Sequence, residues 1–113
     1  MHEMSLCQSI AELIEDAARR ERFQRVRTVT LEVGRLAAVE PEALEFCFEA
    51  AMRGGRAEGA RLEIVATDGR AWCLGCGREI LISRPLDPCP HCGGGQVQVT
   101  GGTEMRIKAL EVE

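Results

Sequence analysis

Cys73-Leu74-Gly75-Cys76 and Cys89-Pro90-His91-Cys92 are two CxxC pairs separated by 12 residues in a chain of 113. Two residues between cysteines bring both sulfurs to one side of a turn, as tetrahedral thiolate coordination of zinc requires. A glycine follows each pair directly and can adopt the tight conformation that such turns need. Four thiolates around one ion leave no open coordination position, so we expect a structural zinc site without chemistry of its own.

Other uses of these four cysteines stay open. They could form two disulfides or a redox dithiol, although a reducing compartment disfavours both. Iron held as in rubredoxin uses similar CxxCG and CPxCG turns. His91 lies between two ligands and could replace a thiolate, or it could be an exposed loop histidine.

The segment around the cysteine pairs differs in composition from its flanks. Glycine residues lie at both ends of this segment, at Asp68-Gly69 and at Gly101-Gly102. We therefore predict a zinc-ribbon domain over residues 69–102, inserted into an α/β domain formed by residues 1–68 and 103–113. Such a small module cannot bury enough apolar surface to fold alone, so metal binding would supply most of its folding free energy.

The flanking segments alternate between helical and strand patterns. Apolar residues at helical spacing predict a first helix over about 5–22, with Ser5 and Gln8 forming a capping box. Pro41 begins a second helix, and Gly54-Gly55 ends it. Alternation predicts strands around residues 28–33, 62–66 and 105–112. The expected fold is α+β: a three-stranded mixed sheet with two helices, plus the inserted ribbon.

Composition limits the function. With a net charge of −4 and 45% hydrophobic residues, the chain is expected to be folded and not to bind nucleic acid, which requires many Lys and Arg contacts. No membrane span or secretory leader is recognised, so we expect a cytoplasmic protein. Cys7 and Cys47 fall on apolar helical faces and are expected to pack in the core.

The first residues, Met1-His2-Glu3, can form a second metal site of different chemistry. The Met1 amine and the His2 amide nitrogen close a five-membered ring around a metal, and the amide with the His2 imidazole closes a six-membered one. The Glu3 amide or carboxylate could complete the plane. Square-planar nitrogen and oxygen ligands suit Ni(II) or Cu(II). A terminal histidine can equally be a solvated side chain, and the residues alone leave this open.

No catalytic site is recognised. The sequence lacks a phosphate-binding loop of the GxxxxGKS type, so nucleotide hydrolysis would have to come from a partner. His2 and His91 are the two histidines of the chain, and neither is paired with a nucleophile in the sequence. We expect a protein that is not an enzyme.

The opening MHEMSL, the α-β-α-β order, the inserted CxxCG and CPxCG turns and the closing EMRIKALEVE together resemble the HypA/HybF family of hydrogenase maturation proteins. The resemblance spans the whole chain. It implies a nickel metallochaperone that serves the large subunit of [NiFe] hydrogenase and, in some organisms, urease maturation. It also implies a HypB-type GTPase partner and a possible homodimer.

The resemblance assigns roles to particular positions. The family's nickel ligand corresponds to His2, supported by Glu3 and the nearby backbone including Met1, and its zinc ligands correspond to Cys73, Cys76, Cys89 and Cys92. Some members carry a histidine after each cysteine pair, where this chain has Gly77 and Gly93. A pH-dependent exchange of zinc ligands of that form is therefore not expected here.

Two rival functions remain. One is a zinc-ribbon module that binds nucleic acid or protein without nickel transport; acidic charge and a single nearby aromatic residue, Trp72, disfavour nucleic acid. The other is a rubredoxin-like electron carrier, which would be red with iron.

Overall fold

The computed structural model describes residues 3–113. Within them, two helices and six strands follow one another in the order α1, β1, α2, β2, β3, β4, β5, β6. Their bounds are α1 Glu3–Glu21, β1 Val26–Gly34, α2 Pro41–Met52, β2 Arg61–Thr67, β3 Gly69–Cys73, β4 Arg78–Ile82, β5 Val97–Gly101 and β6 Met105–Val112.

The three strands predicted outside the ribbon form one sheet in the order β2-β1-β6. Backbone hydrogen bonds of Gln24 with Glu113 and of Gly34 with Glu104 show that β1 and β6 run antiparallel. Arg35 N–H donates to the Thr67 carbonyl where both β1 and β2 end, so these two strands run in the same direction. The sheet is therefore mixed, as predicted from the sequence.

The contacts divide the chain into two compact units. The first comprises the described residues up to Leu31, together with Val39–Ile64 and Ile107–Glu113. The second comprises Glu32–Ala38 and Val65–Arg106. The predicted ribbon, 69–102, lies wholly within the second unit. That unit also includes the end of β1 with the residues up to Ala38, and residues 65–68 and 103–106 on either side of the predicted ribbon.

Both helices belong to the first unit and pack against each other. α1 buries Cys7, Ile10, Ile14 and Ala18, whereas α2 buries Leu44, Phe48 and Met52. Burying one such large apolar side chain fully stabilises a fold by about 2 kcal/mol. The two helical stripes, together with Val26, Val29 and Leu31 of β1, therefore supply much of the buried apolar surface of the first unit.

The start of α2 agrees with the sequence, but that of α1 does not. Pro41 occupies the first turn of α2 as predicted, and the chain leaves the helix just before Gly54, whose φ is 80°. Ser5, however, lies inside α1 and is not its N-cap, because the helix already includes Glu3. Glutamate in the first turn is favoured by the helix dipole, which competes with the capping pattern read at Ser5.

The second unit contains a separate antiparallel sheet in the order β4-β3-β5. One face of it is covered by a small core. Its buried members are Leu36, Ala71, Cys73, Ile80, Ile82 and Cys89. Two of the paired cysteines therefore lie in the only apolar core that forms around this sheet in residues 3–113.

No helix within residues 3–113 combines the length and the apolar character needed to cross a membrane.

Candidate metal centre

The fold brings the four paired cysteines together. Cys73 ends β3, and Cys76 follows in the turn to β4, while Cys89 and Cys92 lie in the loop between β4 and β5. Their four sulfur atoms all lie within 4.8 Å of one another. The Sγ atoms are 3.7 Å apart for Cys73 and Cys92, and 3.8 Å apart for Cys76 and Cys89.

These separations fit a tetrahedral site. With metal–sulfur bonds of about 2.3 Å, the edges of a regular sulfur tetrahedron are roughly 3.8 Å long. Two measured edges match this value, and each joins a cysteine of the first pair to one of the second. A single ion could therefore join the two CxxC turns. The donor set of four soft sulfurs suits zinc and also suits iron.

The two turns have the same backbone geometry. Gly77 N–H donates to the Cys73 carbonyl, and Gly93 N–H donates to the Cys89 carbonyl, both at 2.8 Å. The two glycines have φ values of 66° and 71°, a region that other residues enter only with strain. The glycine predicted to matter after each pair is therefore required by the turn itself.

Backbone N–H groups point at the sulfur atoms. Cys76 N–H donates to the Cys73 sulfur at 3.3 Å, and His91 N–H donates to the Cys89 sulfur at 3.4 Å. Gly94 N–H lies 3.4 Å from the Cys92 sulfur. Such donors stabilise thiolates, which are the metal-binding form of cysteine. The cysteine spacing carries no signal for these contacts, since they depend on the local backbone path.

The thiols are electrostatically unequal. Backbone N–H groups, chiefly that of Cys92 and then that of His91, lower the pKa of the Cys89 thiol to about 6. Hydrogen bonding to the Cys92 side chain, together with burial, raises the pKa of Cys76 to about 12. Crowded thiols resist simultaneous ionisation because neighbouring negative charges repel. A divalent cation among them removes that repulsion, so metal binding would release protons.

Burial closes the cluster on one side. Cys73 and Cys89 are buried, Cys76 is half-buried, and Cys92 is exposed. Leu36 packs into the same core from a segment far away in the sequence. Its contribution could not be read from the cysteine pattern.

His91 is exposed, and its backbone, rather than any observed side-chain contact, touches the cluster. Its imidazole therefore stays a predicted alternative ligand without support from a contact. The predicted nickel ligands Met1 and His2 lie outside the described residues. Glu3 is described: it sits half-buried in the first turn of α1.

The two remaining cysteines differ in burial. Cys7 is fully buried in the core, as predicted, and its sulfur lies 3.8 Å from the Leu44 carbonyl oxygen. Burial, followed by the nearby Cys47, raises the pKa of the Cys7 thiol to about 11. Cys47 is half-buried. A neutral thiol in this setting acts as a small apolar side chain.

Comparison with known proteins gives one consistent result. A family model described as hydrogenase/urease nickel incorporation, metallochaperone, hypA matches residues 1–112. Hydrogenase maturation factor HypA of Azotobacter chroococcum mcd 1 is 58% identical over 113 residues, which cover 100% of both chains. That of Albidiferax ferrireducens is 56% identical over the same length, again covering both chains completely.

Solved structures agree with this match. The solution structure of the Ni metallochaperone HypA from Helicobacter pylori is similar to this chain with a TM-score of 0.72 and 25% sequence identity. The similarity covers 99% of this chain and 97% of that one. Similarity thus extends over sequence and fold along the whole length.

Proposed function

Because this chain belongs to the HypA family of nickel-incorporation metallochaperones, we propose that it binds Ni(II) at its N-terminus and delivers it for [NiFe] hydrogenase maturation with a GTPase partner. The observation that carries the proposal is the family match over residues 1–112, which includes the Met1-His2-Glu3 sequence. Nickel is cargo in this function, and the protein itself need not be an enzyme.

The proposed nickel ligands are the Met1 amine, the His2 amide and imidazole nitrogens, and Glu3. Nitrogen-rich, planar coordination is the geometry that Ni(II) favours and zinc does not. A site with few ligands also releases its ion more readily than a closed thiolate cage. Transfer to another protein requires such release.

The position of Glu3 in α1 supports this arrangement. The first amide N–H groups of a helix have no intrahelical acceptor, so deprotonating one for nickel breaks no helical hydrogen bond. The helix dipole disfavours a cation at this end. The Glu3 carboxylate, in the first turn, offsets that effect with its negative charge.

We propose that the Cys73, Cys76, Cys89 and Cys92 cluster holds zinc as a structural ion. The sulfur separations and the apolar core around Cys73 and Cys89 support a closed site. Iron is the alternative ion, and a red protein with iron by elemental analysis would identify a rubredoxin-like centre instead.

The proposed partners follow from the family. They are a HypB-type GTPase and the [NiFe] hydrogenase large subunit, with urease maturation proteins as further candidates. A homodimer and a cytoplasmic location belong to the same proposal. Nothing in residues 3–113 supplies the nucleotide-binding loop that the GTPase would contribute.

Nickel titration of the untagged, zinc-loaded protein tests the proposal. His2→Ala should weaken nickel binding at least tenfold while zinc content stays at one ion per chain. His91→Ala, which removes the other histidine, should bind nickel normally. A short extension before Met1 should act like His2→Ala because it moves the amine away from the chelate.

The same titration should depend on pH. The amine and imidazole must lose protons to bind, and their ordinary pKa values are about 8 and 6.5. Nickel affinity should therefore fall as pH is lowered from 8 to 6. Unchanged affinity in His2→Ala would remove the N-terminal site from the account.

The alternative function is a zinc-ribbon module that binds protein or nucleic acid without nickel. Exposed Trp72 on β3 is the observation that favours it, since its side chain is 41% accessible. Titration with single-stranded and duplex oligonucleotides distinguishes a nucleic-acid-binding module from the proposed nickel metallochaperone. Salt-sensitive binding to them, without any nickel binding, would favour this alternative.

A further inference from the structure

One face of α2 exposes a phenylalanine among carboxylates. Phe46 has 74% of its surface exposed, which is unusual for so large an apolar side chain. Glu42, Glu45 and Glu49 are exposed as well. Their spacing from Phe46 places all four residues within an arc of about 100° on the helix. We call these four residues the α2 stripe.

The α2 stripe itself contains no basic residue. Among the residues that the structure describes, no ion pair joins Glu42, Glu45 or Glu49 to a basic side chain. The stripe's side chains are exposed, whereas Leu44, Phe48 and Met52 are the buried side chains of α2, so packing within the first unit does not require the stripe. The four side chains are therefore available for contact with another molecule.

A cavity of about 460 Å³ adjoins the stripe within the same unit. Its walls include the apolar side chains Phe48, Met52 and Leu62, and Glu45 and Glu49 line it as well. The two glutamates thus belong both to the stripe and to the cavity. Glu58 and one basic residue, Arg53, line it too, so three carboxylates outnumber one guanidinium at this recess. The exposed ring of Phe46 lies on the same helix.

We propose that the α2 stripe and this cavity form a docking site for a basic amphipathic helix of a partner protein. An apolar side chain of that helix enters the cavity. Its Lys or Arg residues pair with Glu45 and Glu49, and a guanidinium stacks on Phe46. Charge complementarity selects this occupant, since three unpaired carboxylates attract a basic surface and repel nucleic acid.

A second copy of this chain is a poorer occupant. Twofold pairing through the same patch would place the stripe against itself and bring Glu42, Glu45 and Glu49 of each copy towards those of the other. Like charges across an interface oppose association. The site is also independent of nickel, because it uses none of the proposed metal ligands.

The test is an NMR titration of the isotopically labelled, zinc-loaded full chain with a designed peptide. The peptide is an 18-residue helix former with Lys and Arg on one face and Leu on the other. A second peptide keeps the Leu face and replaces every Lys and Arg by Glu. The basic peptide should shift α2 and the cavity residues most, bind more weakly as salt is raised, and outcompete the acidic peptide.

Matched variants locate the contact. Phe46→Ala and Glu49→Lys should each weaken peptide binding about tenfold. Two control variants should bind the peptide as the parent does. Leu13→Ala truncates an exposed leucine on α1, and Glu111→Lys makes the same charge change elsewhere. Circular dichroism checks that each variant keeps its helices.

Three results would overturn the proposal. The first is equal binding by Phe46→Ala and Glu49→Lys. The second is a contrary peptide result: shifts that map outside both α2 and the cavity residues, or equal binding of the acidic peptide. The third is concentration-dependent self-association through α2 without peptide, which would make a second copy the occupant.

Discussion

Glu15 accepts two hydrogen bonds from Arg56. One carboxylate oxygen accepts the backbone N–H of Arg56 at 3.0 Å, and the other accepts from its guanidinium. These two hydrogen bonds connect α1 to the loop that follows α2. The backbone hydrogen bond from Arg56 is the main cause that lowers the pKa of Glu15 below its ordinary value.

Glu15→Gln should destabilise the protein by about 1 kcal/mol at pH 7, since both bonds lose their charge assistance at a partly exposed site. Because the folded-state pKa is lowered, this stabilisation is present above the unfolded pKa of about 4.3 and is lost as pH falls through the folded value. Urea unfolding followed by helical circular dichroism at pH 7 and pH 3 measures it.

The control for that experiment is Asp16→Asn, which removes an exposed pair with Arg19. It should change stability by less than about 0.5 kcal/mol, since such surface pairs contribute little. A difference between Glu15→Gln and the parent that is no smaller at pH 3 than at pH 7 would contradict the role given to the carboxylate.

Gly77→Ala or Gly93→Ala should weaken zinc retention. Their positive φ values cost other residues about 1–2 kcal/mol, although an added Cβ would meet no atom within 4 Å in either case. Gly95→Ala is the matched control, because its Cβ would also lie in open space and its φ is not positive. Competition with a chromogenic chelator should show about tenfold weaker binding for the first two and no change for Gly95→Ala.

Removing the metal should unfold the second unit before the first. The second unit has a small core to which Cys73 and Cys89 contribute, whereas the helices pack through their own stripes. A strong chelator should therefore change the fluorescence of Trp72, next to Cys73, while the helical signal at 222 nm largely remains. Simultaneous loss of both signals would show that the units do not unfold separately.

Cys7 should resist alkylation in the folded protein. It is fully buried, and a pKa of about 11 leaves roughly one thiol in a thousand ionised at pH 8. Cys47 is half-buried and should react sooner. Mass spectrometry after timed iodoacetamide treatment of the zinc-loaded chain measures both. Equal labelling of the two would mean that α1 opens readily.

Much of the fold could be predicted because its signals are local. Pro41 and Gly54 mark the limits of α2 through backbone preferences that operate within a few residues, and the CxxC turns carry their geometry in their spacing. The start of α1 lies at Glu3 and not at the predicted Ser5. A capping pattern at Ser5 competes there with the preference for Glu3 near the positive end of the helix dipole, within the same turn.

Other features depend on contacts that no local pattern encodes. Leu36 joins the core beside Ala71 and Ile82, so the second unit draws on a segment before α2 as well as on the predicted ribbon. The unpaired state of Glu45 and Glu49 likewise emerges only when every basic side chain in the described residues has been placed.

The most direct test of the account is X-ray absorption at the nickel and zinc edges of untagged protein loaded with one equivalent of each metal. We predict a nickel shell of nitrogen and oxygen alone, including imidazole scattering that is lost in His2→Ala, and a zinc shell of four sulfurs at about 2.3 Å. Sulfur in the nickel shell, with imidazole absent from it, would contradict the account.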